Sequence, residues 1–256
     1  MNDVAFGSNP GRWPLPPAST PQELWLRAVA AGGQGRYAGA VTDLDRIHRL
    51  VARGPLASLA LSTRASFLRQ LGWRERARAL DGRASAVADR SATAGADALI
   101  GLAADALGVG RFSASARALR RAADLVTASP WPRLPVRFAW VSAELAMVQG
   151  DGRSAVTHAE RAIKLAEPVG SARHTVKSRI ILAAALCSAG DLDASRREAD
   201  TALQRAGENG LVPLQWAVAC LLADIGSEHR SHAELAALRD VSAETVIRQG
   251  GVWRSR

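Results

Sequence analysis

Glycine recurs in this chain at a spacing that few folds accommodate. Gly35, Gly72, Gly110, Gly150, Gly190 and Gly226 each follow an apolar, alanine-rich run, and the intervals between them are 37, 38, 40, 40 and 36 residues. A near-constant period of this length marks a tandem array of like units. A second register supports it. The residue seven places before each glycine is Ala28, Ala65, Ala103, Ala143, Ala183 and Ala219. A small side chain there lets two helices approach closely, and a larger one would overpack the contact. Four places before the glycine the chain is again apolar, as at Leu68, Ala146, Leu186 and Leu222, one turn along the same face. Beyond the glycine a second stripe begins, as Ala155, Ala159, Ala162 and Ile163. Each unit reads as helix, tight turn, helix.

The totals agree with a soluble helical protein. The 256 residues suffice for a large core or a continuous stack, with 48% apolar and 22% charged side chains. The net charge is +9, and all but two of the 33 basic residues are arginine, the exceptions being Lys164 and Lys177. That excess suits an anionic partner, and it equally suits the codon bias of a GC-rich genome. It is uneven. Residues 1–92 carry 13 basic and 7 acidic side chains, whereas residues 174–256 carry 10 of each. Cys187 and Cys220 sit in apolar helical runs and give neither a disulfide framework nor zinc spacing. The N-terminus lacks the pattern of a signal peptide, and no apolar run approaches the ~20 residues of a membrane span. The expectation is a soluble, cytoplasmic protein that does not enter membranes.

Residues 1–20 hold Pro10, Pro14, Pro16 and Pro17 with Gly7 and Gly11, which predicts a flexible arm. Thr20, Pro21 and Glu23 then open a helix, as cap, first position and capping-box partner. The repeat domain is expected over 21–248, followed by a tail, 249–256, in which Trp253, Arg254 and Arg256 suit capping of the last unit.

The segments "GRYAGAVTDLDRI" (35–47), "GRFSASARALRRAA" (110–123) and "GDGRSAVTHAERAI" (150–163) carry a family likeness. A small residue on the first helix, a glycine turn, an aromatic or apolar residue two places on (Tyr37, Phe112, Leu192) and alanines on the second helix resemble the tetratricopeptide repeat (TPR). Arg74 and Gly152 break the aromatic position. The likeness covers six degenerate units over about residues 21–240, each longer than the usual repeat. It implies an all-α, right-handed α–α superhelix of six helix pairs, with first helices lining a concave face that binds peptides or protein segments. The Lys and Asn clamp by which some such proteins hold a C-terminal carboxylate is not present. The matching positions are Val29, Ser66, Ala104, Glu144 and Ala184.

Several residues are candidates for that surface. Trp25, Trp140 and Trp216 lie ten places before their glycines, with Ile100 and Ile180 in the same register and Ser62 breaking it. In a TPR-like array this register borders the groove, where aromatics would anchor a peptide; plain interhelical core is the competing reading. Arg64, Arg69, Arg74, Arg76 and Arg78 cluster near the second turn beside Trp73, as a grip for acidic groups or as a solvated helix face. His229 and His232, with Glu228 adjacent, supply two thirds of a metal site and no third ligand. "ELAALRDVSAETV" has the cadence of a helix-turn-helix with its turn near Val241 and Ser242, while also falling in phase with a sixth unit. No catalytic motif and no cofactor loop is present. The chain therefore reads as a non-catalytic adaptor or regulator for a protein or peptide partner. The alternative is a nucleic-acid-associated regulator using the basic N-terminal third.

Overall fold

Thr20 accepts from the Glu23 backbone N–H, and the Glu23 carboxylate accepts from the N–H groups of Ser19 and Thr20, so the expected capping box forms. It opens α2 (Pro21–Gly33), which is capped by Gln34 and followed by Gly35. The next N–H, that of Arg36, donates to the Ala31 carbonyl at 2.8 Å. Trp73 to Leu68, Arg111 to Ala106, Asp151 to Ala146 and Asp191 to Leu186 repeat this bond at 2.8–3.0 Å. These are Schellman closures, and they need a left-handed residue between the two helices. All six repeat glycines have positive φ, from 75° at Gly110 to 89° at Gly72.

The computed structural model describes residues 1–255. Among these the secondary structure is helical, without strands. A short α1 (Asn2–Phe6) precedes the pairs α2 with α3 (Tyr37–Leu50), α4 (Pro55–Gln70) with α5 (Arg74–Val87), and α6 (Ala92–Gly108) with α7 (Phe112–Ala128). They continue as α8 (Arg133–Val148) with α9 (Gly152–Ala166), α10 (Ala172–Ser188) with α11 (Leu192–Glu208), and α12 (Val212–Ile225) with α13 (His232–Arg248). A 3₁₀ turn at Glu167–Val169 follows α9.

The six register alanines are fully buried. Five places after the glycine, Ala40, Ala77, Ser115, Ala155 and Ser195 are fully buried too. Small residues are thus buried on both helices of the first five pairs, and in the fifth the Ser195 hydroxyl donates to the Ala183 carbonyl at 2.7 Å; in the sixth the matching Ser231 is exposed as the cap of α13. The even-numbered helices from α2 to α12 also pack each against the next even-numbered one, whereas α3, α5, α7 and α11 make their extensive contacts with chain neighbours.

The two ends of the array meet. The Ala38 N–H donates to Gln249 O at 3.0 Å, the Arg254 N–H to Leu71 O at 2.9 Å, and the Trp73 indole to Val252 O at 2.7 Å. The tail thus lies along the first two turns, with Trp253 against Trp216; Arg256 lies outside the described residues.

Two expectations are corrected. Residues 1–20 are not a free arm. Val4 and Ala5 are buried in the core of the first pair, with Phe6, Leu15 and Ala18 packed on it. Proline removes backbone donors but leaves carbonyls, and Gln34 Nε2 donates to those of Pro10 and Arg12 at 2.7 and 3.0 Å. Residues 232–248 form one unbroken helix, so no helix-turn-helix exists there. Nothing between Val241 and Ser242 breaks a helix, Ser242 is buried, and the box of Ser231 with Glu234 caps the whole length.

Ala183→Leu is expected to cost about 1–3 kcal/mol by overpacking. Gly190→Ala is expected to cost about 1–2 kcal/mol through its left-handed backbone. Both should appear in urea denaturation as a lower midpoint at unchanged slope; an unchanged midpoint for Ala183→Leu would contradict the close approach.

Candidate binding surface

The row of even-numbered helices curves until its first, fourth and fifth members face one another, and aromatic rings fill the space between them. Trp131, just before α8, stacks on Trp25 of α2 at 5.7 Å. Trp25 lies 5.6 Å from Phe6 of α1, and Phe6 lies 6.2 Å from His174 of α10. His174 stacks on Trp140 of α8 at 5.4 Å. Two of the three indoles are pinned by a hydroxyl on the next even helix. Trp25 Nε1 donates to Thr63 Oγ1 at 3.0 Å, and Trp140 Nε1 to Ser178 Oγ at 2.9 Å.

Charge is buried around this stack. Arg69 bridges Asp81 and Asp105, the latter at 2.6 Å. Arg133 and Arg137 share Asp97. Arg133 also faces three rings, with its guanidinium carbon 4.8 Å from Trp131, 5.2 Å from Phe6 and 6.0 Å from Trp25. Its Nε and Nη2 are buried without a hydrogen-bond partner. Arg74, Arg173 and Lys177 have no acidic group within ion-pair distance among the described residues. Arg173 reaches the Val29 carbonyl at 3.4 Å, and Lys177 sits 5.1 Å from the Trp140 ring. Burial pushes the pKa of all three down. Burial, then the charges of Arg173, Arg133, Arg137 and Lys177, hold His174 well below the ordinary imidazole value. Its Nδ1 meets Ser171 Oγ at 2.8 Å.

The structure redistributes the residues singled out in the sequence. Trp25, at 2% exposure, Trp140, at 8%, and Ile100, at 1%, are core and present no free groove surface. Ile180 is half-buried, and Trp216 is half-buried under Trp253 at 4.4 Å. These rings are large enough to close the space between facing helices, and that is where they go. The arginine cluster divides likewise. Arg64 pairs with Asp45 at 2.5 Å on a half-open surface, Arg69 is locked inside, and Arg74 packs against the end of α6. Arg76 stacks on Trp73 at 4.3 Å, and Arg78 is exposed.

Phe6, Arg133, Arg173, His174 and Lys177 were not singled out in the sequence. Arg173 and Lys177 stand four apart on one helical face, which is legible. That α2, α8 and α10 converge on that face is not.

Outside, α3, α5 and α7 carry exposed arginines, including Arg46, Arg49, Arg78, Arg83, Arg120 and Arg121, none of which forms an ion pair among the described residues. An open cleft beside the arm is lined by Ser8, Thr175, Val176, Arg205 and Asn209. A shallower one surrounds Phe112 and Arg117. Among the described residues no three His, Cys, Asp or Glu side chains group as metal ligands, His229 and His232 included. No helix among them is long and apolar enough to cross a membrane. No protein-family model matches the chain, and no curated protein matches its sequence.

A neutral, buried His174 gives a pH signature. Above the ordinary value of 6.5 it is neutral folded and unfolded alike. Below that value the unfolded chain takes up the proton first, so stability present at neutral pH is lost as pH falls toward the depressed folded value. Burial, opposed by Arg69 and aided by Asp105, pushes Asp81 up; that opposite trend is common to parent and variant and cancels. The denaturation midpoint of the parent, relative to His174→Gln, is expected to fall between about pH 7 and pH 5. Parallel curves would show that His174 is not held neutral.

Proposed function

We propose that this chain is a non-catalytic adaptor or regulator that holds a protein or peptide segment on the face formed by its even-numbered helices. In this reading the array is a TPR-like right-handed superhelix, with that face concave. The observation that carries it is the seating of residues 2–12, a short peptide in all but connectivity, on α2 and α10 through buried Val4, Ala5 and Pro10, one aromatic anchor and three hydrogen bonds to its carbonyls. The buried carboxylates favour the same reading, because Asp81, Asp97 and Asp105 are each tied to arginine and serve to hold helices together. The repeat registers support the family reading.

A second reading, a nucleic-acid-associated regulator, is favoured by the unpaired arginines on α3, α5 and α7. Salt separates the two. A protein that neutralises 6–10 phosphates loses roughly 10³–10⁵ in affinity between 50 and 200 mM salt, whereas an aromatic-anchored peptide site loses far less. Capture from lysate at both salt concentrations, with nuclease present, is expected to retain a protein partner and to be unaffected by Arg120→Glu with Arg121→Glu. Capture that vanishes with nuclease, or with those two substitutions, would replace the adaptor reading by the nucleic-acid one.

A further inference from the structure

The N-terminal segment adheres to the body through a few buried side chains, one aromatic ring and few hydrogen bonds. Helices α2 to α13 are held mostly by buried apolar side chains, from three buried residues in α5 and α13 to eleven in α6. Val4, Ala5 and Pro10 are buried, and Phe6 enters between Trp25 and His174. Three hydrogen bonds join the segment to the body, from Ala172 N to Gly7 O at 3.1 Å and from Gln34 Nε2 to the Pro10 and Arg12 carbonyls. Asp3 turns back on its own segment, accepting from the Ser8 backbone at 3.0 Å. The seat keeps its shape through contacts that do not involve the segment, since the Trp25–Thr63, Trp140–Ser178 and Arg133–Asp97 bonds are internal to the array.

The seat is also electrically unfinished. The guanidinium carbons of Arg133 and Arg173 stand 5.2 and 5.8 Å from the Phe6 ring. Arg173 has no acidic partner among the described residues, and two nitrogens of buried Arg133 bond to nothing. The segment answers this positive field only with the face of a phenyl ring. Beside Ser8 the cleft to Thr175 and Arg205 stays open, and Arg205 is exposed without an ion pair among the described residues.

We infer that the surface between α2, α8 and α10 is a recognition site for a peptide segment bearing an aromatic anchor on a short helical turn flanked by acidic side chains, and that residues 2–12 are its intramolecular occupant. The inference rests on the adaptor reading and deepens it. A partner with carboxylates reaching toward Arg133, Arg173 and Arg205 would gain charge-assisted bonds that the resident segment lacks. The resident segment has the advantage of tethering, which gives it an effective concentration on the order of millimolar.

The experiment cuts the tether and leaves the chain whole. A protease site is placed between Pro14 and Ala18, the folded protein is cleaved, and a fluorescent peptide of residues 1–13 is added, with anisotropy read before and after cleavage. The labelled peptide is expected to exchange into the cleaved protein and to bind the uncut protein roughly 100-fold more weakly or worse. A Phe6→Ala peptide should fail to exchange, and a peptide with added acidic flanks should bind tighter than the native sequence. In the intact chain, Phe6→Ala should speed trypsin cleavage at Arg12 about tenfold or more while circular dichroism stays unchanged. Equal binding before and after cleavage would overturn the inference, as would exchange indifferent to Phe6. So would loss of helicity on cleavage, which would make the segment part of the core. Should exchange fail while the intact chain still captures a protein partner at moderate salt, the adaptor reading survives and this site does not; exchange without such capture leaves the site and removes the adaptor.

Discussion

The architecture depends on one steric condition: small side chains between the helices of a pair let the two approach closely. Ala183 facing Ser195, with a hydroxyl reaching the opposing carbonyl, shows how close that is. A larger side chain would overpack that contact, and the other five register alanines are buried as fully. The glycine turn enforces the condition from one end. In the first five pairs a Schellman closure reverses the chain within three residues, so the second helix starts already pressed on the first, whereas six residues separate α12 from α13. Turn and small-residue contact act together, and that coupling explains why they recur at a fixed offset.

Large side chains, excluded from the pair contacts, collect where the even-numbered helices face one another. There the protein buries an unusual quantity of positive charge. An isolated buried guanidinium is costly, and truncating one partner of a buried ion pair typically costs 3–5 kcal/mol. Here Arg69 is shared by two carboxylates and Arg137 is held by Asp97, while Arg133 adds three aromatic faces to its acid. Lys177 leans on Trp140. Quadrupoles replace part of the missing negative charge. The outcome is a polarised interior in which two unsatisfied donors, Nε and Nη2 of Arg133, lie beside Phe6.

Much of the helical organisation was legible, because steric rules act locally. Glycine after an alanine-rich run, Thr20 with Glu23, and small residues at fixed offsets each dictate their own turn or contact. What was not legible depended on curvature. Trp25 and Trp140 share a register, yet register says only that they point the same way, not that their helices bend until the rings are enclosed. Arg64 and Arg69 are five residues apart, and one helix turns them to opposite fates, surface and core. The proline-rich start looked unstructured because composition reports intrinsic preference, whereas Gln34, far along the chain, supplies the donor that fixes it. The cadence near Val241 misled because a helix-turn-helix and a straight helix share the same apolar spacing when no breaker intervenes.

The contact between tail and first turns has a further meaning. Repeat proteins with free ends can lengthen or shorten by whole units, since each unit answers only to its neighbours. Here Val252 answers to Trp73, across 179 residues of sequence. Adding or deleting a unit would carry the tail past its dock, so the number of units is fixed by closure. The same contact must be among the last to form when the chain folds, because every intervening pair has to be in place before the tail can find its bed.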